Sequence, residues 1–366
     1  MNEQLNNLPV LTWNHLGVNR AGQEFALPEV PQSGSAEENL TISILPSNVE
    51  RVQEFPIDHE EMESGVGKAY DNYILKNSNI SYLLKVKGET EQTIRTKTCV
   101  SSGHRAIAGS FGIYAEEGSS LVWMQESVSD EDVSGFSTEL TRIYAKKNSR
   151  IRLIQVQNLN RSTPSWNGVA IYAEDGARVE VVRAVLGSSR SAFGTRAELK
   201  GKDSSYQLDS IYFADQTQLF DFNDVSNHYG KNTQADMYTA GVLAGESSKT
   251  LRGTIDFKKG AVYGVGHESE DVLMFGDKVR NRTVPLILCA EEQVEGQHAA
   301  SIGRLDETQI YYLISRGLTP LQARMLLIEG RFAPVLDKIP DEKLREELAS
   351  QIERRLKENE PKSNAS

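Results

Sequence analysis

Six histidines and two cysteines are the residues of this 366-residue chain best suited to proton or soft-metal chemistry. His298 stands in Glu295-Gly296-Gln297-His298-Ala299-Ala300, where the small residues Gly296, Ala299 and Ala300 leave room for close approach by another chain. Its imidazole can bind a metal or move a proton, although a lone histidine is more often structural. Cys289 lies nine residues earlier. A thiolate there could ligate iron or accept persulfide sulfur, but the plainer reading, which we adopt, is a buried apolar cysteine. Cys99, in Lys97-Thr98-Cys99-Val100, has no motif around it and is read the same way. Glu268, Glu270, Asp271 and Asp277 surround His267 and offer oxygen ligands for a cation; a solvated turn is the commoner use of such a run. Asp221-Phe222-Asn223-Asp224 could supply the carboxylates of a polysaccharide-cleaving enzyme, but Asp and Asn more often build turns. His228, in Asn227-His228-Tyr229-Gly230, reads either way, and His15 is expected to help dock the N-terminal segment. The chain has no Gly-x-x-x-x-Gly-Lys-Ser/Thr loop, no Gly-x-Ser-x-Gly elbow and no His-Glu-x-x-His, so neither nucleotide hydrolysis nor those two hydrolytic chemistries is expected.

Composition narrows the partners. The net charge of -11 and the lack of a basic stripe argue against nucleic acid or an anionic membrane surface. No run reaches the ~18 apolar residues of a membrane span, and the start is polar. Two cysteines 190 residues apart make a disulfide framework or a Cys-rich metal cage unlikely, so a cytoplasmic protein with reduced thiols is expected.

The elements that must position these residues announce themselves by repetition. Ile113-Tyr114-Ala115-Glu116-Glu117-Gly118 recurs as Ile143-Tyr144-Ala145-Lys146-Lys147-Asn148 and as Ile171-Tyr172-Ala173-Glu174-Asp175-Gly176, at intervals of 30 and 28 residues. Weaker copies begin at Ile255 and at Leu288, the latter placing Cys289 at the repeat's Tyr position. Each unit combines short β-rich runs with a charged turn ending in Gly or Asn, where a positive φ is easiest. One such coil cannot bury its own apolar side, but stacked coils can. A parallel β-helix is therefore expected over 76–305, with a sandwich or antiparallel barrel as the alternative. Residues 1–75, with several prolines, read as an irregular capping segment. A helical region follows over 306–360. Its first helix spans Asp306 to Arg316 and stops at Gly317. A second is capped by Thr319-Pro320-Leu321-Gln322 and runs to about Gly330, with a continuation toward Lys338. The third carries the stripe Leu344, Leu348, Ile352, Leu356. Residues 361–366 are expected to be disordered.

At this point a family resemblance emerges. Val284-Pro285-Leu286 through Val294-Glu295-Gly296-Gln297-His298-Ala299, then Gly303-Arg304-Leu305-Asp306-Glu307-Thr308-Gln309-Ile310-Tyr311-Tyr312-Leu313 and Ser315-Arg316-Gly317, resemble the SufB/SufD family of iron–sulfur cluster assembly proteins. Ala323-Arg324, Leu326 to Phe332, His228 with Thr233, and Leu251-Arg252-Gly253-Thr254-Ile255 extend the likeness, which is strong over 225–340 and weak before residue 75. The resemblance implies a mainly β, right-handed parallel β-helix with a C-terminal helical domain. It implies a non-catalytic scaffold that pairs with a SufB-like subunit through the solenoid and binds a SufC-like ATPase through the helices. The SufB-type cysteine corresponds to Glu270, and the SufB-type Glu-His-Glu to Gln297-His298-Ala299, a pattern similar to the SufD branch. The resemblance puts His298 forward as an iron or cluster ligand or proton donor at a cluster-assembly interface, with Cys289 and Glu270 in the same region. It places Tyr311, Leu313, Arg316, Arg324 and Leu327 at a partner surface. No tightly bound cofactor is expected, only transient iron or an iron–sulfur cluster at the partner interface. A SufB-like homomeric scaffold, as a homodimer, and a carbohydrate-active β-helix enzyme are the alternatives.

Overall fold

A computed structural model describes residues 5–12, 14–30, 36–56, 62–304 and 307–359. Among them the chain winds into a two-walled parallel β-solenoid, the fold expected from the repeats, with C-terminal helices. Eighteen strands are numbered in chain order, and each coil contributes one to each wall. One wall, A, holds β1 (Leu40–Ile42), β4 (Ile94–Val100), β6 (Ser120–Ser129), β8 (Arg150–Asn158), β10 (Arg178–Val185), β12 (Ser205–Ala214), β14 (Gln234–Ala244), β16 (Val265–Phe275) and β18 (Glu295–Arg304), in that spatial order. The other, B, holds β2 (Val49–Val52), β3 (Ile80–Val86), β5 (Ala106–Ala115), β7 (Phe136–Ala145), β9 (Ser165–Ala173), β11 (Arg190–Leu199), β13 (Leu219–His228), β15 (Ser248–Phe257) and β17 (Arg280–Cys289).

The repeats set the register. Ile113 pairs with Ile143 and Ile143 with Ile171, stacking all three side chains inside the solenoid. The intervening Tyr114, Tyr144 and Tyr172 point outward, with ring centroids stacked at 5.6 and 4.8 Å. The turn that ends each unit needs a left-handed residue, and Gly118 (φ 67°), Asn148 (φ 58°) and Gly176 (φ 64°) supply it. Ile255 occupies the same column as Ile171, three coils on, as the repeat spacing predicts. The last copy is shifted by one residue from the sequence reading: Ile287, not Leu288, takes the Ile position, so Cys289 takes the Ala position.

The solenoid's outer faces are clothed differently. On wall B the early chain runs along the outside of the sheet. Asn6 Nδ2 donates to Asp221 Oδ1 at 2.6 Å, and Arg252 Nε donates to the Val18 carbonyl at 2.6 Å. Helix α1 (Lys68–Asn77) buries Tyr70 and Ile74 with Leu140, Trp166 and Ala192. At the N-terminal end, the short strands β1 and β2 pair antiparallel with β4 and β3 and cover part of both sheet edges.

On wall A the helices α2 (Glu307–Ser315), α3 (Pro320–Leu336) and α4 (Glu342–Glu358) follow the last strand. The capping box at Thr319 and Gln322 starts α3 as predicted, and the Asp341 side chain caps α4 by accepting from the Leu344 amide at 3.0 Å. The helix α3 continues past Gly330 because Phe332 and Val335 bury themselves against the sheet. The predicted stripe Leu344, Leu348, Ile352, Leu356 packs on Ile154, Val182, Ile211, Phe213 and their neighbours. Arg355 locks this contact through Asp215 at 2.7 Å. Asp306 and the expected disordered tail lie outside the described residues. No described helix is long and apolar enough to cross a membrane.

Candidate functional site at the open end of the solenoid

The two ends of the solenoid differ. The N-terminal coil is partly covered by the short antiparallel strands β1 and β2, of three and four residues, whereas the C-terminal coil ends in the ten-residue strands β17 and β18, each paired on one side only. The unpaired side of each presents a row of backbone N–H and C=O groups. β18 is exposed along nearly its whole length.

In-register neighbours on parallel strands share a face, so each inward column can be followed to this end. One runs Leu208, Met237, Glu268, His298. Its first three members are buried and His298 is exposed, because no coil covers the last one. His298 therefore sits over the lumen, one strand spacing beyond Glu268. A second column brings Glu270 in beside Thr239 and ends at Ala300. A third, on the opposite wall, runs Leu199, His228, Phe257, Cys289.

Just below the mouth the lumen turns from apolar to charged. Lys249, wholly buried, forms an ion pair with Glu270, whose other carboxylate oxygen accepts from Thr283 Oγ1 at 2.6 Å. Burial pushes the Lys249 ammonium down from its ordinary range, and the Glu270 carboxylate opposes that shift. Arg183 clamps Asp224 with two hydrogen bonds of 3.0 and 2.7 Å. Glu268 is 8% exposed. Burial, reinforced by the neighbouring Glu270 and Asp224, pushes its carboxyl up to about 8, so it holds a proton at neutral pH. Its carboxyl leans against Gly253 of β15, where any side chain would collide with it.

Several sequence expectations change. Of the acidic run around His267 only Asp277 lies in an exposed turn; the rest is strand, with Glu268 and Glu270 facing in, while His267, 3.0 Å from Asp236, and Asp271, 2.9 Å from Arg331, face out. Asp221 to Asp224 likewise form the middle of β13; Asp221 pairs with Arg252 at 2.6 Å and Asp224 with Arg183. Cys289 is exposed, not buried, because its inward column ends there. Cys99 is half-buried beside Asp130, and His15 is exposed. His228 resolves as a core residue, its Nδ1 2.8 Å from Thr233 Oγ1 and its ring 4.6 Å from Phe257. Lys249, Arg183 and Thr283 went unnoticed in the sequence. The alternation of β15, with Lys249, Leu251 and Gly253 on one face, is the signal that could have placed Lys249 indoors. Among the described residues no three His, Cys, Asp or Glu side chains gather closely enough to hold a metal ion.

Beyond the mouth, α2 carries an exposed apolar face. Tyr311 is 74% exposed, and Tyr312 and Ile314 are also open. Arg316 lies 5.1 Å over the Tyr312 ring. Leu313 and Leu327 are half-buried. Arg324, also half-buried, lines with Tyr311, Ile314, Met274 and Phe275 a groove of about 600 Å³.

Residues 98–331 match the family model described as SUF system FeS cluster assembly, SufBD core domain. The chain belongs to the SufBD family. The match covers most of the solenoid, the open end, α2 and most of α3. Among curated relatives, the iron–sulfur cluster assembly protein SufD of Bacillus subtilis is 24% identical over 271 residues, 74% of this chain and 62% of that protein. A chloroplastic SufBD family protein of Arabidopsis thaliana is 26% identical over 240 residues, 63% of this chain and 43% of its own. One from Pyrococcus horikoshii is 26% identical over 208 residues, 56% of this chain and 45% of its own. The chain thus spans less than two thirds of the length of these relatives. The chain is thus a SufBD family member that is SufD-like by its similarity to the B. subtilis protein.

Proposed function

We propose that the chain is a SufD-like, non-catalytic scaffold subunit that pairs end to end with a SufB-like solenoid and engages a SufC-like ATPase. The observation that carries this reading is the open coil: both walls terminate in strands with unpaired edges, and His298 sits in the inward column between them. An edge strand this exposed is satisfied by strand addition from another chain, and a second β-solenoid offers strands at the same spacing. Pairing there would enclose His298 between two lumens and let it act on iron or a nascent cluster carried as cargo. Glu270, where a SufB-type cysteine would stand, is tied up with Lys249 and Thr283, which favours the assisting branch over a self-sufficient SufB-like scaffold. Cys289, exposed at the same end, is within the enclosed region but lies in a different column. The ATPase contact is assigned to α2 and the start of α3, where exposed Tyr311 and Ile314 and half-buried Arg324 border an open groove against Met274 and Phe275, with Leu313, Arg316 and Leu327 on the same two helices.

Co-expression with SufB-like and SufC-like partners tests the assembly. The three chains are expected to co-purify. Tyr311→Asp should release the ATPase alone, while His298→Ala should keep the complex and lower cluster yield. A chain that purifies alone from the triple expression refutes the assembly.

A further inference from the structure

The open coil holds a second donor beneath His298. Glu268 and His298 are in-register neighbours on β16 and β18 and so project from the same face, about 4.8 Å apart along the solenoid axis. That is the separation at which side chains on adjacent strands share a ligand. Glycine at 253 leaves the space in which the Glu268 carboxyl rests. The charges around it do not balance: Lys249 is committed to Glu270 and Arg183 to Asp224, leaving Glu268 without a cation of its own. An imidazole nitrogen and a carboxyl group that gives up its proton on binding form a donor pair suited to a divalent transition-metal ion.

We propose that Glu268 is the second protein ligand, beside His298, for a divalent transition-metal ion received at the mouth of the lumen. The proposal rests on the reading of His298 as an interface ligand. With two donors from this chain, water or a partner's groups fill the remaining positions, which is how a site at the join of two subunits is completed only on assembly. Because the carboxylate stands one strand deeper than the imidazole, an incoming ion meets His298 first and Glu268 second.

The test is anaerobic titration of the metal-free, full-length chain with Co²⁺, read by visible d–d absorption. The wild type should give a saturable spectrum. His298→Ala and Glu268→Gln should each weaken binding by about tenfold or more. Circular dichroism establishes that each variant is folded. If Glu268→Gln does not fold, Glu268→Asp, which keeps the carboxyl group but draws its oxygens back by one methylene, should still weaken binding. Wild-type affinity in a folded Glu268 variant, with loss in His298→Ala, overturns the role of Glu268 and leaves His298 standing. Wild-type affinity in both, or no saturable spectrum from the wild type, overturns the site altogether, while co-purification with the partners tests the assembly separately.

Discussion

His228 should make the solenoid acid-sensitive over a window set by its burial. Its side chain is inaccessible, its Nδ1 sits 2.8 Å from Thr233 Oγ1, and its ring packs on Phe257. Burial pushes the imidazole down to about 4 from an ordinary 6.5. Below pH 6.5 the unfolded chain therefore binds a proton that the folded chain refuses until about pH 4. The stabilising term is whole above 6.5 and lost as pH falls to 4, about 3 kcal/mol over the window and about 2 kcal/mol by pH 5. Acidic side chains also titrate there, so the comparison needs a variant without the imidazole. His228→Leu serves, because Leu199 fills the same column one coil earlier. The variant gives up the Thr233 contact equally at both pH values, so that loss cancels in the comparison. Urea unfolding of the two proteins near pH 7.5 and pH 5 gives the answer. The wild type should lose about 2 kcal/mol more than His228→Leu on acidification. Equal losses would refute the assignment of a neutral, desolvated imidazole to the folded state.

Glu268 should behave in the opposite sense. Its folded carboxyl titrates near 8, so stability is lost as pH rises from 4.5 to 8; Glu268→Gln should be more stable than wild type by about 3 kcal/mol at pH 7 and indistinguishable near pH 4.5 in urea unfolding. Asp224→Ala strips a wholly buried Arg183 of its partner and should cost roughly 3–5 kcal/mol, read from the same denaturation curves. Ile352→Ala opens the contact between α4 and the outer face of wall A and should cost roughly 2–5 kcal/mol, with earlier amide exchange in α4 than in the strands beneath it.

Much of the fold was legible because a solenoid writes its period into the chain. Ile113, Ile143 and Ile171 mark the column directly, and the left-handed turn residues after them mark where each coil bends. The third helix was equally plain, since Leu344, Leu348, Ile352 and Leu356 can face only one way on a helix. What escaped was the direction of charged side chains. Glu268, Glu270, Asp221 and Asp224 were read as turn formers because carboxylates are seldom buried, yet strand alternation carries Glu268, Glu270 and Asp224 inward and the tightly packed N-terminal segment covers Asp221. Their partners Lys249, Arg183 and Arg252 lie 21 to 41 residues away, farther than any local pattern reaches. Cys289 was misjudged for a different reason: the weak last repeat was read one residue out of register, and whether the inward face it occupies is covered depends on whether another coil follows.

The change in character along one column links the fold to its use. Val181, Leu208 and Met237 stack as apolar neighbours, and the same column then continues as Glu268 and His298. A larger apolar residue at 268 would extend the core and remove a buried acid that weakens the fold at neutral pH. The N-terminal end shows that this chain can finish a solenoid economically, with short antiparallel strands over part of both edges. The C-terminal end instead keeps β18 exposed, lines the lumen below it with ionic groups and leaves an imidazole at the rim. Groups that cost stability yet are held in a fixed constellation are retained for what they bind. On that argument the last two coils are where the scaffold meets both its partner and its cargo, and the coils before them serve to hold that end in register.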